Sequence, residues 1–215
     1  MTPPLIITGA YGSGKTECAL ALALQWAARE PVTLIDLDFV NPYFRAQDHR
    51  EALERAGVAV LAPDARVAQL DAPSLPPATG PTLLHPPGRV IVDLGGDPAG
   101  AVVIAQFADR LPAYDLWAAH NLFRPTTAAP AAAAALLRAI AAAARLRFTG
   151  LIAASHLGEF TTVDDLLAGL DGTRAVSALL DVPVVLLSAP AWLRLPPLDL
   201  PVLPITPRLK RPWEE

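Results

Sequence analysis

The eight residues Gly9-Ala10-Tyr11-Gly12-Ser13-Gly14-Lys15-Thr16 constrain this chain more than any other stretch. They fit the pattern G-x-x-x-x-G-K-[ST] and sit where that pattern must sit. The apolar run Leu5-Ile6-Ile7 before them reads as a strand, and residues 17–28 after them read as a helix. Glycines at 9, 12 and 14 let the backbone curl tightly and turn its N–H groups inward. A helix starting at Lys15 aims the positive end of its dipole at the same point. Such a cradle suits phosphate oxygens, with Lys15 as a mobile cation and the Thr16 hydroxyl as a ligand for Mg2+. The expected nucleotide contacts are therefore Gly9, Tyr11, Gly12, Ser13, Gly14, Lys15, Thr16 and Glu17. A ligand-free glycine-rich turn is the bland alternative, and the register of strand, loop and helix counts against it.

The rest of the chain alternates strands and helices. Strands are expected at residues 32–35, 58–61, 90–92, 116–119, 150–154 and 184–187, with an edge strand at 202–205. Helices are expected at 47–56, 98–110 and 125–145, and after a cap at Thr161 or Thr162. The proline-rich stretch 62–89 predicts loops and at most one short helix. The strands are continuous apolar runs, as when helices cover both faces of a sheet. The expected class is thus α/β, a P-loop NTPase fold with a mostly parallel sheet and helices on both faces. No repeat or long linker divides the chain, so residues 1–215 read as one nucleotide-binding domain. Residues 62–89 read as an insertion and 207–215 as a tail.

In such a sheet, ligands bind beyond the carboxyl ends of the strands. The second strand ends in Asp36-Leu37-Asp38 and the fourth in Asp93-Leu94-Gly95-Gly96-Asp97. Acidic strand ends beside a phosphate loop are what a Mg2+–nucleotide site needs: one carboxylate supports the metal, another orients a water. Asp93 after three apolar residues fits the Walker B pattern. Asp93-x-x-Gly96 also resembles the switch element of P-loop GTPases and related ATPases, which implies that the Gly96 N–H senses a terminal phosphate. Asp97, next to Pro98, reads as a helix cap. Asp36 and Asp38 are not separable by position alone. Tyr11 stacks on a base or shields the loop. The run 39–45 either responds to the nucleotide through Arg45 or packs the next helix through Tyr43 and Phe44.

Bulk properties set bounds. Net charge is −4 with no run of like charges, which argues against a strongly basic nucleic-acid surface. The hydrophobic fraction is 53%, but much of it is alanine, so the Ala-rich stretch 128–144 reads as a helix covering a sheet and not as a membrane span. The N-terminal residues lack a basic segment followed by an apolar one, and Cys18 is the single cysteine. Both point to a cytoplasmic protein without disulfides. Cys18 reads as a small packing residue.

Three longer runs carry a resemblance: Gly9 to Glu17, Asp36 to Arg45 with Asn41-Pro42-Tyr43-Phe44-Arg45, and Asp93 to Gly100. Together they resemble a group of bacterial ParA/MinD/CobB-like ATP-binding proteins. Arg124-Pro125 and Leu157-Gly158-Glu159 with Thr161-Thr162 look like later motifs of the same group. The resemblance implies that Thr16 binds Mg2+, that Asp38 is associated with the attacking water, and that Asp93 is the Walker B carboxylate. Asp36 is the further metal-side carboxylate of the pair. The match departs at Ala10, where ParA and MinD proteins carry a lysine that reaches across a nucleotide-sandwich dimer.

Guanine-reading Asn-Lys-x-Asp is missing after the later strands, which favours ATP over GTP. The leading expectation is a Mg2+-dependent ATP hydrolase acting as a switch or accessory factor, with Lys15 and Asp38 as its catalytic pair. Its partners are a nucleoside triphosphate and a protein, either another chain or a second copy. The alternatives are a small-molecule kinase or ATP-dependent ligase, whose acceptor would bind near 62–89, and a nucleotide-binding partner protein with little turnover.

Overall fold

The structure, a computed structural model, describes residues 2–38, 50–62 and 75–207. The Asn41–Arg45 run, part of the proline-rich stretch and the basic residues Arg208, Lys210 and Arg211 lie outside the described residues.

Eight strands form one sheet: β1 (Leu5–Thr8), β2 (Val32–Leu37), β3 (Val58–Leu61), β4 (Arg89–Leu94), β5 (Asp115–His120), β6 (Gly150–Ala153), β7 (Val184–Pro190) and β8 (Val202–Ile205). Their spatial order is β3-β2-β4-β1-β5-β6-β7-β8, and every neighbouring pair is parallel. The phosphate-loop strand β1 therefore lies inside the sheet, hydrogen-bonded to β4 and β5. All four of its residues are buried, which explains why they read as an unbroken apolar run.

Helix α1 (Lys15–Ala27) and α2 (Arg50–Arg55) cover one face of the sheet. The other face carries α3 (Thr79–Leu84), α4 (Pro98–Ala101), α5 (Pro130–Ala144) and α6 (Val163–Leu180). Alternate residues of each strand serve the two faces. Ile7, Leu34 and Ile91 pack with Leu20 of α1, while Ile6, Ile35 and Val92 pack with Leu137 and Ile140 of α5. The Ala-rich helix buries Ala133, Ala134 and Ala144 against the sheet, where small side chains allow close approach. Among the described residues no helix is long and apolar enough to cross a membrane.

Local chemistry accounts for the differences from expectation. Residues 98–110 are not one α-helix: α4 passes after Ala101 into a 3-10 segment, Val102–Arg110. Its β-branched opening, Val102-Val103-Ile104, is poor helix material. Helix α5 starts at Pro130 and not at residue 125, because a proline inside a helix loses an N–H and clashes with the preceding turn. Residues 121–129 are left as a loop over the sheet's carboxyl edge. Thr162 is the cap of α6, in a reciprocal box with Asp165. Asp97 caps α4 by accepting from the Gly100 N–H at 2.7 Å.

Candidate functional site

Between β1 and α1 the loop makes a tight wrap. The Ser13 N–H donates to the Ala10 carbonyl at 2.9 Å, and Gly9, Gly12 and Gly14 take φ values of 144°, 69° and 87°. Side chains rarely adopt such φ values, so the pattern glycines are required by the backbone itself. Gly14 caps α1 without a side-chain acceptor. The first-turn N–H groups thus face the loop's hollow and suit an anion. Glu17 lies in that first turn, at the cavity edge.

The turn after β4 is pressed onto this loop. The Thr8 hydroxyl donates to the Gly95 carbonyl at 2.8 Å. A Cβ on Gly96 would fall on the Gly9 carbonyl oxygen, so only glycine fits at 96. Gly96→Ala is expected to push the two loops apart, costing about 1–3 kcal/mol of stability by overpacking. It also misplaces the amides that face a phosphate. A thermal melt and a triphosphate titration of this variant check both effects.

Three carboxylates converge under the loop. Asp36 and Asp93 are register partners on β2 and β4. Both share the parity of Leu34 and Ile91, and so lie on the α1 face, as does Asp38 two residues further on. All three are buried, Asp93 almost completely. The Lys15 Nζ meets Asp38 Oδ2 at 2.5 Å. Asp36 Oδ1 accepts from the Asp38 N–H at 3.1 Å and so fixes the turn that presents Asp38. Burial alone would lower the Lys15 pKa; the charges of Asp93, Asp38 and Asp36 outweigh it and hold the ammonium above its ordinary value. Asp93 goes the other way. Burial pushes its carboxyl up to about 6, against the opposing pull of Lys15. Neither of its oxygens completes a hydrogen bond, although the Thr16 hydroxyl is close enough to favour the charged form.

An unpartnered buried carboxylate facing a threonine hydroxyl fits a hard divalent cation, which takes oxygen ligands and keeps several waters. No cluster of three His, Cys, Asp or Glu among the described residues is arranged to hold a metal by itself. A cation here would need phosphate oxygens as well.

A cavity of about 620 Å³ opens from the loop toward β7. The phosphate loop forms one end, and Phe123, His156, Ser188 and Trp192 line its walls. Tyr11 stands at its rim, two-thirds exposed. His156 lies over Gly14 on the same wall. Asn121 and Ser155, just past the ends of β5 and β6, hold the loop that follows β5. Asn121 Oδ1 accepts from the Phe123 N–H at 2.9 Å, and its amide approaches the carbonyls of Gly12 and His156 at 3.4 Å. The Ser155 hydroxyl accepts from the Leu122 N–H at 2.9 Å. His120 braces the same loop from below: its Nε2–H donates to the Thr127 carbonyl, and its Nδ1 lies 2.9 Å from the Thr173 hydroxyl, which itself donates to the Gly169 carbonyl at 2.8 Å. Burial keeps that imidazole's pKa below the ordinary value, against the opposing hydrogen bond to the Thr127 carbonyl.

Sequence reasoning did not place Arg124 in this site. Its Nε–H donates to the Gly12 carbonyl at 2.7 Å, across 112 residues of chain. Nor did it foresee that Lys15 and Asp38 pair directly. Cys18 is buried as expected, and burial pushes its thiol up to about 12.

No family model and no curated protein sequence matches the chain. Solved structures do. It is similar to the signal recognition particle 54 kDa protein of Aeropyrum pernix K1 in complex with GDP, at 19% identity and a TM-score of 0.57, over 87% of this chain and 41% of that one. It is similar to the signal recognition particle receptor FtsY of Elizabethkingia anophelis, at 17% identity and a TM-score of 0.53, over 87% and 58%. The FtsY protein of Thermotoga maritima gives 16% and 0.54, over 88% and 62%. The chain thus spans 41–62% of the lengths of these proteins.

At such identities the likeness is one of fold: an α/β P-loop NTPase fold with an eight-stranded parallel sheet. It corrects the expected ParA/MinD/CobB assignment, because the similar structures belong to a different branch of P-loop NTPases. The physical reason is that a Gly-Lys-Thr loop and acidic strand ends are demands of the phosphate site, which the branches share. Those motifs identify the site and not the branch.

Proposed function

We propose that this chain binds a nucleoside triphosphate with Mg2+ in the crevice formed by residues 9–16, and acts as a slowly hydrolysing nucleotide switch. The observation that carries this reading is Asp93: a buried carboxylate without a hydrogen-bond partner, facing Thr16 at the start of α1. A protein keeps so costly a group where a ligand compensates it. The loop amides and Lys15 hold the outer phosphates. Thr16 and Asp93 hold the metal, which supplies charge neutralisation on the phosphates. Asp36 supports the metal side by fixing Asp38. In the described state Asp38 holds Lys15. A triphosphate competes for that ammonium, and Asp38 is then released to orient a water.

The base is proposed to be adenine. Guanine recognition uses a carboxylate against the ring's N–H groups, and among the described residues Glu17, at the phosphate end, is the one acidic residue lining the cavity. The GDP of the Aeropyrum structure belongs to that protein, and GTP is the comparison that must be run. A switch also needs a protein partner, another chain or a second copy, and a cytoplasmic setting accords with one buried free thiol.

Phosphate release from Mg-ATP and Mg-GTP tests the reading. Steady release that falls at least about 100-fold in Asp38→Asn is expected, the loss typical for removing a group that orients the nucleophile. Release that starts only when an acceptor metabolite is added indicates a kinase or ligase instead. Tight binding without release under either condition indicates a partner protein without turnover.

A further inference from the structure

The loop joining β5 to α5 brings a cation to the phosphate crevice that the reading above does not use. Arg124 is half-buried and lines the cavity beside Gly12 and Lys15. Its guanidinium lies against the glycine: a Cβ at residue 12 would fall 2.9 Å from Nε and 3.0 Å from Cζ. One N–H, at Nε, is spent on the Gly12 carbonyl. Among the described residues no carboxylate pairs with it, so its charge is not neutralised by an ion pair there. The loop that carries it is also pinned. The Arg124 carbonyl accepts from the Thr127 N–H at 2.9 Å, and the Thr127 hydroxyl donates to the Asn121 carbonyl at 2.7 Å.

Charge makes the placement meaningful. Lys15 already faces Asp36, Asp38 and Asp93, so among the described residues the inner site carries no surplus positive charge for a polyanion. Ala10 supplies none from the loop itself. A guanidinium offers five N–H donors in a fixed plane, and among the described residues one of them, at Nε, has a hydrogen-bond acceptor.

Resting on the reading of residues 9–16 as a triphosphate site, we propose that Arg124 is a phosphate-binding residue. Its two terminal nitrogens contact the phosphate chain while Nε holds Gly12. The contact serves triphosphate over monophosphate, because its strength follows the charge it meets.

The test is a titration of wild type, Arg124→Gln and Arg124→Lys with Mg-ATP, Mg-GTP and AMP over a range of salt. Glutamine keeps an N–H for the Gly12 carbonyl and removes the charge. For the triphosphate that wild type prefers, Arg124→Gln is expected to lose about 10-fold or more in affinity. Its dependence on salt becomes shallower than wild type, AMP affinity changes little, and lysine restores the steeper dependence. Unchanged triphosphate affinity in Arg124→Gln overturns the proposal. So does weaker binding with an unchanged salt dependence, which marks a mere brace for the loop. Wild type that binds neither triphosphate overturns the nucleotide reading itself, a result separate from any effect of residue 124.

Discussion

Lys15→Ala is expected to bind triphosphate weakly and to unfold more readily at neutral pH. A charge-assisted contact to phosphate contributes about 1.5–3 kcal/mol, so affinity falls roughly 10- to 150-fold. The stability loss has a different origin. Lys15 is the positive charge set against Asp36, Asp38 and Asp93. Removing one partner of a buried ion pair costs about 3–5 kcal/mol, because the remaining charges stay behind unpaired. That cost shrinks as pH falls and the carboxylates take up protons. Melts at pH 7.5 and pH 5.5, with calorimetric titration of ATP and GTP, read both effects. A variant that melts with wild type at both pH values and binds triphosphate equally well contradicts the role.

Asp93→Asn is expected to do the reverse to stability and the same to function. The folded-state pKa of Asp93 is raised by burial from 3.8 to about 6. Between those values the folded chain holds a proton that the unfolded chain has released. Stability from this group is therefore fully present below pH 3.8 and lost as pH rises through 6. At pH 7.5 the ionised, buried carboxylate costs on the order of 2–3 kcal/mol. An amide carries no such cost, so the ligand-free variant melts higher, by about 4–10 °C for a chain of this size. It also loses the benefit that Mg2+ gives to triphosphate binding. Higher stability with lost activity marks a strained functional group. A variant that melts lower than wild type at pH 7.5 would show that Asp93 is a structural carboxylate.

The contrast between these two residues shows what the sequence could and could not convey. Elements fixed by local chemistry were legible. The edge strand at Val202–Ile205, a cap at Thr161 or Thr162, which the structure places at Thr162, and the phosphate loop follow from apolar runs, turn residues and spacing. The parity of Asp36, Asp38 and Asp93 followed once the sheet order set their strands side by side, since residues two apart share a face. What stayed hidden depends on partners distant in sequence. The Lys15–Asp38 pair spans a helix and a strand. The Arg124 contact crosses 112 residues, and nothing local distinguishes that arginine from the exposed ones. The switch from α4 to a 3-10 segment was hidden by an apolar pattern that suits either helix. The branch of the P-loop fold was hidden for a related reason: the most informative residues are those the phosphate dictates.

The central claim is that the crevice of residues 9–16 binds a nucleoside triphosphate. Calorimetric titration of the ligand-free protein with Mg-ATP and Mg-GTP tests it most directly. The expected result is saturable one-to-one binding of at least one triphosphate, weakened when Mg2+ is removed and weakened roughly 10- to 150-fold in Lys15→Ala. No binding of either triphosphate, or equal binding by Lys15→Ala, would contradict it.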